Sequence, residues 1–117
     1  MTGRPNKFGA RKTPCQHGHK HASAKEARRC NELHLLQRAG EIVGLEVEPV
    51  FTFAIEGKPV MHLNGRRAVY TPDFSYIEAG RKVCEDVKGG SATNTEASTL
   101  RLAFARSMWP SIDWRTI

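Results

Sequence analysis

Thr71-Pro-Asp-Phe-Ser-Tyr-Ile-Glu-Ala-Gly-Arg-Lys-Val-Cys-Glu-Asp-Val-Lys88 reads as two strands joined by a tight turn. Tyr76 and Ile77 close a strand that runs from Arg67 to Ile77, Ala79-Gly80 supplies the turn, and Lys82 to Lys88 returns as its partner. Residues two apart on a strand share a face. Asp86 and Lys88 therefore point the same way as Cys84, with Glu85 and Val87 on the opposite side. The hairpin also brings Asp73 close to Asp86. Two carboxylates on neighbouring strands repel unless a cation lies between them. Mg²⁺ takes oxygen ligands and is commonly held by one or two carboxylates with substrate phosphates, so Asp73, Asp86 and the Val87 carbonyl form a candidate site for it. Lys88, on the same face, can orient an attacking water and stabilise charge building on a phosphate. The other reading of any D-x-K is an ordinary cross-strand ion pair on a solvated face.

Working outward, Asn64-Gly65 marks a turn, and Leu45 to Phe53 alternates with Pro49 inside it, which predicts strands bordered at the proline in an edge or bulged position. Further back, Ser23 and Glu26 make a capping box and Gly40 a stop, predicting a helix over Ser23 to Ala39. Its apolar stripe holds Cys30, Leu33 and Leu36, and Glu26 falls inside that stripe. A carboxylate turned toward the core is costly, and back-capping of the helix is one local explanation. Thr13 to Ala22 suits a small hairpin turning near Gly18. Downstream, Gly89-Gly90 ends the sheet, Thr93 and Glu96 form a second capping box, and a helix runs to about Met108 before Trp109-Pro110. Ile112 to Thr116 suits a last strand. Phe51, Phe53, Phe74 and Phe104 are expected in the core, and Trp109 and Trp114 in core or edge packing rather than as base-stacking platforms. The order predicts an α+β fold with helices packed on a mixed sheet.

The 117 residues leave room for one domain, 13–117, behind a basic arm at 1–12. No apolar stretch approaches a membrane span, and no hydrophobic run follows the basic N-terminus, so a cytoplasmic protein is expected, with no membrane partner. Three irregularly spaced cysteines do not resemble a disulfide framework. The net charge of +6 is concentrated at one end. Residues 1–30 hold eight Lys/Arg against one acid, and the remainder holds ten against eleven. Arg4, Lys7, Arg11 and Lys12 in the arm, with Lys20, Lys25 and Arg29 beyond it, are candidate phosphate contacts, and DNA is the expected partner. Arg101, near the start of the second helix beside Ser98, is a further candidate.

Cys15, His17, His19 and His21 alternate in the first hairpin, and Cys30 lies one turn from His34 on the helix, so two ligands from each element could make a zinc site. No C-x-x-C pair is present, and Cys30 also fits as a small core residue. Surface histidines are the expected reading, and zinc is not an expected cofactor.

Three words, Ser23-Ala-Lys-Glu-Ala-Arg-Arg29, Thr71-Pro-Asp-Phe74 and Glu85-Asp-Val-Lys-Gly89, occur in an order and on elements that resemble the PD-(D/E)xK nuclease superfamily. The resemblance spans about residues 8 to 110 and is similar to small phage and prophage proteins of that superfamily, some like Holliday-junction resolvases. It implies a restriction-endonuclease-like core: helix, three-stranded antiparallel meander, helix, strand. It also implies an Mg²⁺-dependent DNA endonuclease, with Mn²⁺ as a substitute ion. By the same resemblance Asp73 and Asp86 are metal-binding acids, Lys88 is the catalytic lysine, and Glu26 is the acid that many members carry on the first helix. Such enzymes usually leave a 5′-phosphate and a 3′-hydroxyl. A nuclease this small has little surface for reading bases, which favours branched DNA over a base sequence, and a symmetric junction calls for a homodimer. The alternatives are a non-catalytic DNA-binding module and a zinc-stabilised nucleic-acid binder.

Overall fold

The computed structural model describes residues 13–21, 23–88 and 95–117. In chain order these form β1 (Thr13–Pro14), β2 (Lys20–His21), α1 (Ala24–Arg38), β3 (Val43–Val47), β4 (Phe51–Thr52), β5 (Ala54–Ile55), β6 (Lys58–Pro59), β7 (Val69–Tyr70), β8 (Phe74–Glu78), β9 (Arg81–Asp86), α2 (Glu96–Met108) and β10 (Asp113–Thr116). The fold is α+β. Its main sheet is mixed, in the order β10-β9-β8-β3, with β8 antiparallel to both neighbours and β10 parallel to β9. A parallel neighbour needs a crossover, and α2 lies in the connection from β9 to β10.

Local chemistry explains most boundaries. Ala79 and Gly80, with φ of 50° and 79°, close the β8–β9 hairpin in the left-handed conformation that favours glycine and that hairpins of two-residue loops require. Ser23 caps α1 by accepting the Glu26 N–H at 3.1 Å, and Ala39 with the positive-φ Gly40 ends it. Gly18, also at positive φ, sits in the turn between β1 and β2 as expected. Pro49 falls between β3 and β4, and β3 is an edge strand with a register shift between Val43 and Glu46.

Three expectations need correction, and one hairpin goes beyond them. The strand expected over Arg67 to Ile77 is two strands: β7 pairs with β4, whereas β8 pairs with β9. The break falls at Thr71-Pro72, where proline lacks a ladder donor and the chain changes partners. The cap of α2 is Thr95, whose Oγ1 accepts the Ser98 N–H at 3.0 Å; Thr93, Gly89 and Gly90 lie outside the described residues. Phe104 is 47% exposed, because α2 buries the adjacent Ala105 and the next residue round the helix turns away. Glu56-Gly57 closes a β5–β6 hairpin that periodicity did not reveal, with φ of 51° and 78°.

One side of the sheet packs Phe74, Tyr76, Val83 and Val87 against Ala27, Cys30 and Leu33 of α1. A second core joins Phe53, Tyr70 and Ala105, with Trp109 and Trp114 against it as expected. No helix among the described residues is long and apolar enough to cross a membrane.

A polar lock fixes α1 on the sheet. Glu85 is fully buried, and its carboxylate accepts two bonds from Arg29, Nε at 2.9 Å and Nη2 at 2.6 Å, and one from the Tyr76 hydroxyl at 2.5 Å. The Glu85 bond holds the Arg29 guanidinium well above its ordinary pKa, and burial together with Glu85 pushes the Tyr76 hydroxyl up to about 12. Removing one partner leaves the others' polar groups desolvated and unmatched. Glu85→Ala is therefore expected to cost about 3–5 kcal/mol in urea unfolding. A loss below about 1 kcal/mol would mean that hydrophobic packing alone seats α1.

Candidate active site

Glu26 stands in the first turn of α1 and is 5% exposed. Its N–H supplies one half of the capping box, but its carboxylate is turned elsewhere: Oε2 lies 2.7 Å from His21 Nδ1, and the side chain also hydrogen-bonds that of Asp73. Asp73 precedes β8 and is stitched to the neighbouring strand. Its N–H donates to the Glu85 carbonyl at 2.9 Å and its Oδ2 accepts the Val87 N–H at 2.7 Å. Burial pushes the Asp73 carboxyl up to about 7, Glu26 adds to the rise, and the Val87 N–H and the Lys88 ammonium oppose it.

The alternation along β9 is as expected. Glu85 and Val87 pack toward α1, whereas Asp86 and Lys88 line a cleft of about 590 Å³ on the other face, shared with Thr71 and His62 and with Ser98 and Arg101 from the start of α2. Burial also raises the Asp86 carboxyl, against the pull of Lys88 and of the Asp73 N–H. Beyond β9 the pairing with the last strand continues, from Ile117 N–H to the Asp86 carbonyl and from Lys88 N–H to the Ile117 carbonyl. Hydrogen-bonding direction alternates along an extended chain, so the Val87 carbonyl turns with its N–H toward Asp73. The structure thus gathers Glu26, Asp73, Asp86, Val87 and Lys88 at one end of the sheet. The carboxyls of Glu26, Asp73 and Asp86 and the Val87 carbonyl are oxygen donors, the type a hard divalent cation takes, and burial holds Asp73 and Asp86 above their ordinary range.

The expected phosphate contacts divide. Arg101 lines the cleft. Lys25 donates to the carbonyls of Lys88 at 2.9 Å and Ile117 at 3.0 Å, anchoring α1 beside the site, and Arg29 is engaged by Glu85 and Glu32. Arg4, Lys7, Arg11 and Lys12 lie outside the described residues, as does the side chain of Lys20. The anchoring by Lys25 and the lock at Glu85 have no signature in the sequence, because both partners are remote.

Against the expectation of surface histidines, with zinc the lesser reading, Cys15, His19, His21 and Cys30 form a cluster that could hold a metal ion, with one ligand atom of each within 4.8 Å of all the others. The cluster takes two of the three hairpin histidines and neither His17 nor His34. Those two rings instead stack on each other, centroids 3.7 Å apart. Burial pushes the Cys30 thiol up to about 12; at Cys15 burial is outweighed by the His17 backbone N–H and neighbouring side chains, which bring that thiol down to about 7.

Across residues 5–113 the chain matches the model of a family described as "Protein of unknown function (DUF1064)", and it belongs to that family. No curated protein and no solved structure matches it.

The acid cluster has a cost that can be measured. For a carboxyl whose folded pKa lies above its unfolded value, the folded state binds the extra proton, so stability declines as pH rises from about 4 through about 7. Asp73→Asn keeps an acceptor for the Val87 N–H and removes the charge. In thermal melts without added divalent ions, the variant is expected to match wild type near pH 4 and to gain on it steadily as pH rises through about 7, exceeding it by on the order of a few kcal/mol at pH 8. An identical pH response of the two proteins would show that Asp73 is not electrostatically strained.

Proposed function

We propose that this protein is a divalent-metal-dependent DNA endonuclease with a restriction-endonuclease-like core, in which Glu26, Asp73, Asp86 and the Val87 carbonyl bind Mg²⁺ and Lys88 is the catalytic lysine. The observation that carries the reading is the meeting of Glu26 from α1 with Asp73 from the head of β8, at the same end of the sheet as Asp86 and Lys88. These residues are scattered in the sequence, and an ordinary surface ion pair would not require a buried glutamate from a helix to join them. Mn²⁺ satisfies the same oxygen donors.

When bound, Mg²⁺ supplies neutralisation of the carboxylates and polarisation of the scissile phosphate. The rest falls to the chain. Lys88 faces the cleft from the strand that carries Asp86, where its ammonium orients the attacking water and meets negative charge as it develops on the phosphate oxygens. Ser98 and Arg101 sit at the N-terminal end of α2, where backbone N–H groups and the helix dipole favour a phosphate. The lysines and arginines of residues 1–30 other than Lys25 and Arg29, which are engaged within the fold, follow the flanking backbone. Recognition rests on backbone and shape, which favours branched DNA, and a symmetric junction would be cut by two copies of the chain.

The test is cleavage of labelled linear duplex, single strand, flap and four-way junction by wild type, Asp73→Ala and Lys88→Ala, with Mg²⁺, with Mn²⁺ and with EDTA. The expected result is metal-dependent cutting that falls by at least about 100-fold in both variants, with binding retained. Binding without cutting by wild type in either ion would overturn the enzymatic reading and leave a non-catalytic DNA-binding module.

A further inference from the structure

The β1–β2 hairpin has two paired residues in each strand, too few to hold a conformation by backbone bonds alone, yet it buries Cys15 and His21 against α1. Its turn curls around one sulfur: the Cys15 N–H donates to the His19 carbonyl at 2.9 Å, and the His17 N–H points at Cys15 Sγ from 3.4 Å. His19 Nδ1 lies 3.4 Å from Cys15 Sγ and 3.4 Å from Cys30 Sγ. A tetrahedral zinc with Zn–S of about 2.3 Å and Zn–N of about 2.0 Å has S···N edges of about 3.5 Å. The spacing therefore already suits a shared ion.

His21 supplies the independent sign. It is 1% exposed, its Nδ1 is engaged by Glu26, and its Nε2 is a buried polar atom with no hydrogen-bond partner among the described residues. An unsatisfied buried imidazole nitrogen costs free energy unless something accepts its lone pair. A metal-bound histidine characteristically gives its other N–H to a carboxylate, which is the relation of His21 Nδ1 to Glu26 Oε2. All three cysteines are free thiols. Two thiolates and two neutral imidazoles around Zn²⁺ also make a neutral centre, suited to a buried position, whereas Mg²⁺ avoids sulfur. His34 borders the cluster without joining the four: its Nδ1 lies 2.8 Å from the Cys30 carbonyl and 3.7 Å from Cys30 Sγ, and its ring stacks on His17.

We propose that Cys15, His19, His21 and Cys30 bind one Zn²⁺ in a closed four-ligand site that pins the N-terminal hairpin to α1, with Glu26 holding His21 in its ligating orientation. Four protein ligands leave no open position, so the ion is structural. Binding displaces the thiol protons and couples the metal to folding of the hairpin. The site is separate from the acid cluster, but Glu26 belongs to both: it contacts the zinc ligand His21 on one side and Asp73 on the other.

The full chain, purified without added metal, is expected to contain about one zinc per molecule by elemental analysis. Replacement by Co²⁺ should give the intense visible bands of tetrahedral cobalt and a thiolate-to-cobalt charge-transfer band. Cys15→Ser and His19→Ala should lose the metal, and His34→Ala should keep it. Glu26→Ala should weaken zinc affinity by about 10–100-fold. Where a ligand variant fails to fold, the wild-type cobalt spectrum decides. Folded wild type that takes up no stoichiometric zinc, a six-coordinate cobalt spectrum without the thiolate band, or full zinc retention by folded Cys15→Ser would overturn the site. Unchanged affinity in Glu26→Ala would overturn the role of Glu26. None of these readouts involves DNA, so they stand or fall apart from the nuclease activity.

Discussion

Glu26 is a carboxyl taken almost wholly out of water, and the groups that meet it arrive from different parts of the chain. Burying a carboxylate costs several kcal/mol unless its oxygens find partners. Here His21 comes from the small hairpin and Asp73 from the head of the central strand β8. The hairpin, the helix and the sheet must therefore assemble together for the helix to sit with Glu26 inward. Glu85 meets the same problem one strand away, where Arg29 and Tyr76 satisfy it with three hydrogen bonds. The interface between α1 and the sheet is thus apolar in the middle, at Cys30, Leu33, Phe74 and Val83, and held at its polar end by two buried acids.

Strand β9 separates the α1 side from the cleft side by alternation. Glu85 and Val87 turn to α1 and carry packing, while Asp86 and Lys88 turn to the cleft. Such an arrangement is electrostatically expensive, because Asp73 and Asp86 are buried enough to resist ionisation. In the proposed nuclease reading that cost has a use, since the same clustering of acids that weakens the free protein favours a bound cation. Lys25 contributes from outside by tying α1 to the carbonyls that end the two neighbouring strands.

Local rules were the legible part of the sequence. Ser23 and Gly40 delimit α1, Ala79-Gly80 closes the hairpin, and the period of two separates Asp86 from Glu85, all through contacts within a few residues. The inward position of Glu26 was visible as a carboxylate in an apolar stripe, although its partners were not. Where neighbours compete, the local reading fell short. The chain from Arg67 to Ile77 carries strand signals throughout, but Pro72 lets it change partners. Phe104 has the hydrophobicity of a core residue on a helix that buries only Ala105.

By itself, the sequence determined the element types, most of their ends, the face shared by Asp86 and Lys88, and the concentration of positive charge in the first thirty residues, because these follow from chain periodicity, turn chemistry and composition. Only the tertiary structure decided that Glu26 meets both His21 and Asp73, that Glu85 is met by Arg29 and Tyr76, and that Cys15, His19, His21 and Cys30 converge while His17 and His34 do not. Those meetings depend on how far α1 is rotated and how deeply it is seated on the sheet. Side-chain packing across elements sets both quantities, and no spacing along the chain encodes them.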